Sequence, residues 1–129
     1  MSGFKAVNQI NIMVSDIVQS RKWYENHIGL TVKHDYDQTV VLQFPEPSPT
    51  YVCLIEGPGS FSPERVAGTY PVFEIDEIQA DQLKESLVSE GVEVVEGSKG
   101  HFKFKDPDGN VLEAYLPGLY EEQRFAGLR

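Results

Sequence analysis

One arrangement occurs twice along this 129-residue chain and constrains its fold more than any other feature. The first copy runs Ile10-Asn11-Ile12-Met13-Val14-Ser15-Asp16-Ile17, continues through Ser20, Trp23 and Tyr24, and closes on Ile28-Gly29-Leu30-Thr31-Val32. The second runs Val72-Phe73-Glu74-Ile75-Asp76-Glu77-Ile78, continues through Ala80, Leu83 and Leu87, and closes on Gly91-Val92-Glu93-Val94. Each reads as a strand, an acidic cap, an amphipathic helix, a glycine stop and another strand. Asp16 and Asp76 can accept hydrogen bonds from the free backbone donors of helices starting near Ile17 and Ile78. Gly29 and Gly91 stand where a left-handed C-terminal cap is wanted. Ile78, Leu83, Leu87 and Val88 make the apolar stripe of the second helix, and Ile17, Trp23, Tyr24 and Ile28 do the same less regularly in the first.

After each helix the pattern changes to strands: residues 31–34, 39–44 and 51–56 in the first copy, then 92–95, 101–105 and 111–116 in the second. Tyr36-Asp37-Gln38 reads as a turn and Pro45-Glu46-Pro47-Ser48-Pro49 as a stiffened loop. The expected fold is α+β: one domain of two βαβββ modules, residues 6–56 and 69–117, joined by a connector at 57–68 and followed by a tail at 118–129. Neither module could bury both faces of its sheet alone. Two curved mixed sheets side by side would carry their helices outside and leave a cup on the inner face. The tail reads as a short helix on a partner subunit or as a loose end.

Composition narrows the function classes. Twenty acidic against eleven basic residues give a formal net charge of -9, which argues against a nucleic-acid surface. No apolar run approaches the roughly 20 residues of a membrane span, and the N-terminus lacks the apolar core of a signal peptide, so a cytoplasmic protein is expected. Cys53 is the single cysteine, which removes disulfide frameworks and cysteine metal clusters; it reads as a small buried hydrophobe. Phosphate loops, serine nucleophile elbows and zinc-protease motifs are absent from the sequence.

The residues that point to chemistry lie around Asp106-Pro107-Asp108-Gly109-Asn110. Pro107 presets one corner and Gly109 tolerates unusual backbone angles, so the strands on either side fold back on each other. Beyond the turn, Leu112, Ala114 and Leu116 take one face of the strand, and Val111, Glu113 and Tyr115 take the other. A carboxylate between a valine and a tyrosine is costly to desolvate unless it faces a cation, a donor or a cavity, which makes Glu113 the first catalytic candidate. The hairpin sets Lys103 opposite it, so a cross-strand ion pair is the competing reading.

Val14-Ser15-Asp16 before a helix bearing Trp23-Tyr24, then Ile28-Gly29-Leu30, and later Asp106 to Asn110 followed by Glu113, resemble the vicinal oxygen chelate superfamily of glyoxalases, bleomycin-resistance proteins, fosfomycin-resistance transferases and extradiol dioxygenases. The resemblance runs from about Ala6 to Pro117. It implies duplicated βαβββ modules whose inner faces form a cup, often completed in a homodimer. Metal-dependent members hold a divalent ion on three or four side chains, and the matching positions here are Gln9, Tyr70, Glu113 and, for glyoxalase I-like members, Glu56. A neutral tyrosine is a poor ligand for zinc, nickel or iron. The three histidines, His27, His34 and His101, do not occupy the ligand positions.

Two principal readings follow from the resemblance. In the first, the cup binds a small organic ligand without a cofactor, lined by Gln9, Asn11, Tyr70, Glu113 and Tyr115, and the acidic charge suits a cationic ligand. In the second, a lyase or isomerase holds zinc, nickel, manganese or iron on Gln9, Glu113 and Glu56. A dimeric interaction module with a collapsed cup is the third reading.

Overall fold

The computed structural model describes residues 3, 5–46, 48–58 and 70–129. The chain divides into two compact units, Met1–Ser62 and Pro63–Arg129. Most of the expected connector, residues 59–68, lies outside the described residues, as does residue 69 at the start of the expected second module.

In the first unit, β1 (Gln9–Val14) leads into α1 (Ile17–Trp23), followed by β2 (Thr31–Asp35), β3 (Thr39–Gln43) and β4 (Tyr51–Glu56). The sheet order is β1-β4-β3-β2, with β1 parallel to β4 and the other pairs antiparallel. Alternation along the strands buries Ile12, Val14, Val40, Leu42, Val52 and Leu54, and the helical segment brings Ile17 and Tyr24 to the same core. Asp16 starts α1 as expected, its carboxylate accepting from the Gln19 amide at 3.0 Å. The helix widens into a π-helical turn over Tyr24–Ile28. Gly29 then ends it at a φ of 85°, the left-handed conformation that glycine adopts without steric cost.

The second unit repeats the plan with β5 (Val72–Glu74), α2 (Ala80–Ser89), β6 (Glu93–Gly97), β7 (His101–Lys105) and β8 (Val111–Tyr115), in the order β5-β8-β7-β6. Phe73, Phe102, Phe104, Leu112, Ala114 and Leu116 are buried, together with Ala80 and Leu87 of α2. The duplication extends to a detail that periodicity does not show. The register slips between Val32 and His34 on β2, and between Val94 and Glu96 at the corresponding place on β6. The chain is thus α+β, with two four-stranded mixed sheets of βαβββ connectivity.

The second helix differs from expectation at its start. Asp76 does accept from the Ile78 amide, at 2.8 Å, but that bond closes a local turn, and the helix begins at Ala80. Ile78 consequently turns outward, 83% exposed, and Val88 is exposed as well. The buried stripe narrows to Ala80 and Leu87 beside a half-buried Leu83.

The C-terminal segment packs on its own unit. Leu119 and Phe125 are buried, and Gln123–Leu128 forms a 3-10 helix. The Gly100 amide donates to the Leu128 carbonyl at 2.9 Å, and Arg129 Nε donates to the Leu119 carbonyl at 2.7 Å. Among the described residues no helix is long and apolar enough to cross a membrane.

Cys53 is buried as expected, and burial pushes its thiol pKa above the ordinary value. Its reaction with Ellman's reagent at pH 8 is therefore expected to be at least about 100-fold slower in the native protein than in urea. Equal rates would show that the thiol is accessible.

Candidate functional site

The hairpin turn holds the second unit's polar face in register. Asp106 Oδ1 accepts from the amides of Asp108 at 3.0 Å and Asn110 at 2.8 Å, while Oδ2 accepts from Asn110 Nδ2 at 2.9 Å. Asp106 is buried, so these charge-assisted bonds compensate a carboxylate taken out of water. The turn sets Lys105 opposite Val111, Lys103 opposite Glu113 and His101 opposite Tyr115. Because side chains alternate, Phe102 and Phe104 go to the core while His101, Lys103, Glu113 and Tyr115 share the other, partly open face.

Lys103 is opposite Glu113 as the hairpin implies, but the cross-strand ion pair of the competing reading is not formed among the described residues. Glu113 turns along the sheet to His101, with Oε2 2.9 Å from Nε2. Its side chain is only 13% exposed, so this bond satisfies a largely desolvated carboxylate. On the far side of the imidazole, Nδ1 lies 2.6 Å from the Tyr120 hydroxyl. Tyr115 packs edge-on to the His101 ring at 5.2 Å, and Tyr115 and Tyr120 stack at 6.3 Å. Desolvation raises the Tyr115 pKa, with the charge on Glu121 and the neighbouring Tyr120 adding to it, so its phenol stays protonated at neutral pH.

The row Tyr120–His101–Glu113 defines a proton arrangement. An ionised carboxylate only accepts, so neutral His101 carries its proton on Nε2 and accepts from Tyr120 at Nδ1. Long-range 1H–15N correlation spectra are expected to show the Nε2-H tautomer in the wild type. Tyr120→Phe is expected to let a visible fraction shift to Nδ1-H, and an Nδ1-H ring in the wild type would reverse the arrangement.

Lys103 has its own partners. Its ammonium is 3.5 Å from Glu96 Oε1 and 5.1 Å from the centre of the Tyr70 ring. The hydrogen bond and charge interaction with Tyr70 raise its pKa most, partial desolvation opposes them, and Glu96 adds a smaller upward push. Tyr70 is thus brought to the same face as Glu113 and Tyr115.

Gln9 and Asn11 belong to the first unit, on the face of β1 opposite its buried isoleucine and valine, and Gln9 Nε2 donates to Asn11 Oδ1 at 2.9 Å. Glu56 closes β4, and its Oε2 accepts from the Ile17 amide at 3.0 Å, satisfying an otherwise free donor at the start of α1. A cavity of about 530 Å³ opens elsewhere in this unit, walled in part by Phe44, Pro45 and Tyr51, and holds none of the expected residues.

His101 and Tyr120 escaped the sequence reading as partners of Glu113. For His101 a signal existed: once Lys103 is opposite Glu113, His101 is its diagonal neighbour on the same face. Tyr120 follows β8 in an irregular turn and had no such signal.

The family model of the Glyoxalase/Bleomycin resistance protein/Dioxygenase superfamily matches residues 6–114. No curated protein sequence matches the chain. Among solved structures, a possible glyoxalase from Bacillus cereus is 23% identical, with a TM-score of 0.68 over 85% of this chain and 97% of that one. The fosfomycin resistance protein FosX from Mesorhizobium loti is 16% identical, with a TM-score of 0.69 over 95% of this chain and 98% of that one. The trypanothione-dependent glyoxalase I of Leishmania major is 17% identical, with a TM-score of 0.70 over 95% of this chain and 94% of that one. At these identities the likeness establishes the fold.

Proposed function

The chain belongs to the Glyoxalase/Bleomycin resistance protein/Dioxygenase superfamily, and we propose that it binds a small organic molecule on the polar face of its second unit without a complete metal triad. The observation that carries this reading is the hydrogen-bonded row Tyr120–His101–Glu113, with Tyr115 and Tyr70 on the same face. A carboxylate held by an imidazole whose tautomer is set from behind is a preorganised acceptor. It can orient a donor of the ligand or take a proton from it.

The metal alternative fits these residues poorly. Beside Tyr70, a divalent ion would meet the Lys103 ammonium, whose charge repels it. Glu56 already serves the Ile17 amide, and Gln9 offers a neutral amide. Among the described residues no group of three His, Cys, Asp or Glu side chains is placed to hold an ion.

Thermal-shift screening of purified protein against small carbonyl compounds, amides, carboxylic acids and amines tests the proposal. At least one class is expected to raise Tm by several degrees in the wild type and by much less in Glu113→Gln. No shift from any class would end the reading. Elemental analysis in parallel is expected to find substoichiometric zinc, nickel, manganese and iron, and a full equivalent of any would restore the metal enzyme. Dimerisation, which the resemblance implies, would appear as a sedimentation mass about twice 14.5 kDa.

A further inference from the structure

Beyond β8 the chain is built unlike the sheet it rests on. Leu119 is fully buried, and a Cβ added to Gly100 would stand 2.7 Å from its Cδ1, so the chain is firmly seated at this point. From Tyr120 to Arg129, by contrast, Phe125 is the one buried side chain among the described residues. The short 3-10 helix here has poorer hydrogen-bond geometry than an α-helix. A small set of ties holds the segment down: the Gly100 amide to the Leu128 carbonyl, Arg129 Nε to the Leu119 carbonyl, and Arg124 Nη2 2.8 Å from Glu77 Oε2 in the turn before α2. That ion pair is well exposed, so it holds weakly. Few buried apolar contacts and solvent-exposed hydrogen bonds mark a region that opens at less cost than global unfolding.

The same segment carries Tyr120, whose hydroxyl lies 2.6 Å from His101 Nδ1. We infer that residues 120–129 form a strap that opens and closes as a unit beyond the Leu119 anchor, and that its position sets how much of His101 carries its proton on Nδ1. Closed, the strap puts the Tyr120 donor on Nδ1, and the ring gives its Nε2 proton to the bond with Glu113. Open, Nδ1 has lost that donor and a share of the rings takes the proton there. In that share Nε2 and Glu113 Oε2 are both acceptors, so the carboxylate is released from the imidazole and turns to another donor. The strap is thus a switch acting from behind the ring. Its bearing on ligand binding rests on the proposed role of Glu113, whereas its own motion needs no ligand.

Hydrogen exchange and His101 ring spectra of the ligand-free full chain test both halves. The amides of Gly100, Glu122, Phe125 and Arg129 bond within the segment or to it, and they are expected to exchange at least about 100-fold faster than the paired amides of β8. Phe125→Asp, which sets a carboxylate in an apolar seat, is expected to hold the strap open: all four amides lose protection together while β8 stays within about threefold. Its long-range 1H–15N spectrum should then show the same Nδ1-H fraction as Tyr120→Phe. Arg124→Glu keeps Phe125 and turns the latch into a repulsion against Glu77 and Glu122. It is expected to speed the four amides together by about three- to tenfold, giving a second reading should the aspartate variant misfold. Strap amides that exchange at the pace of β8 would show a segment opening only with the whole unit, and would overturn the strap. Loss of strap protection with His101 still wholly Nε2-H would overturn the switch. Neither result depends on a ligand, so failure here leaves the proposed function standing, and an empty thermal screen leaves the strap.

Discussion

Asp106→Ala is expected to lower the unfolding free energy by about 2–4 kcal/mol, seen as a fall in the urea midpoint at unchanged slope. The size follows from what the buried carboxylate does. It accepts from two backbone amides and one side-chain amide, and alanine would take that acceptor away from all three donors. Asp106→Asn separates the contributions. Its carbonyl oxygen can still serve the amides of Asp108 and Asn110, whereas its NH₂ would face Asn110 Nδ2, donor against donor, so roughly half the loss is expected. Hydrogen exchange gives a local reading, since the Asp108 and Asn110 amides should exchange far faster in the alanine variant. Unchanged stability and exchange would mean that Pro107 and Gly109 hold the turn unaided.

The same turn shows what could be read in the sequence and what could not. Pro107, Gly109 and the alternation beyond them contain the hairpin, its register and the strand face that Glu113 takes, because these follow from backbone chemistry and a period of two. Register, however, does not choose side-chain partners. Lys103 could reach Glu113, Glu96 or Tyr70, and the outcome depends on β6 and on the residues before β5, which lie far from it in sequence. Tyr120 reaches His101 because Leu119 and Phe125 anchor an irregular segment, and irregular segments carry no periodic signal. Glu56 is similar: its bond to the Ile17 amide exists only once β4 has paired with β1 beside the start of α1. Helix α2 failed on a finer point, since Asp76 can close a turn as readily as it can cap a helix.

Strand β7 places a core residue and a residue of the proposed site next to each other, and the two are expected to separate stability from function. Phe102 is 1% exposed and packs against Phe104 with ring centres 5.9 Å apart. Phe102→Ala should therefore cost about 3–5 kcal/mol through lost burial and the cavity left behind. His101 points the other way, its side chain 32% exposed, and its chief partners are Glu113 and Tyr120. His101→Ala removes one hydrogen bond from the largely desolvated Glu113 carboxylate, but the half-exposed imidazole leaves space that a water can enter to replace it. The expected change is within about 1 kcal/mol, while the Tyr120–His101–Glu113 row is broken outright. Urea unfolding of the two variants, with binding of a ligand found in the thermal-shift screen measured on each, checks the separation. Phe102→Ala, wherever it remains folded, should keep much of its affinity, and His101→Ala should keep its stability and lose binding. A large destabilisation from His101→Ala would instead make the row part of what holds the sheet together, and a role for Glu113 in ligand recognition would then lose its main structural support.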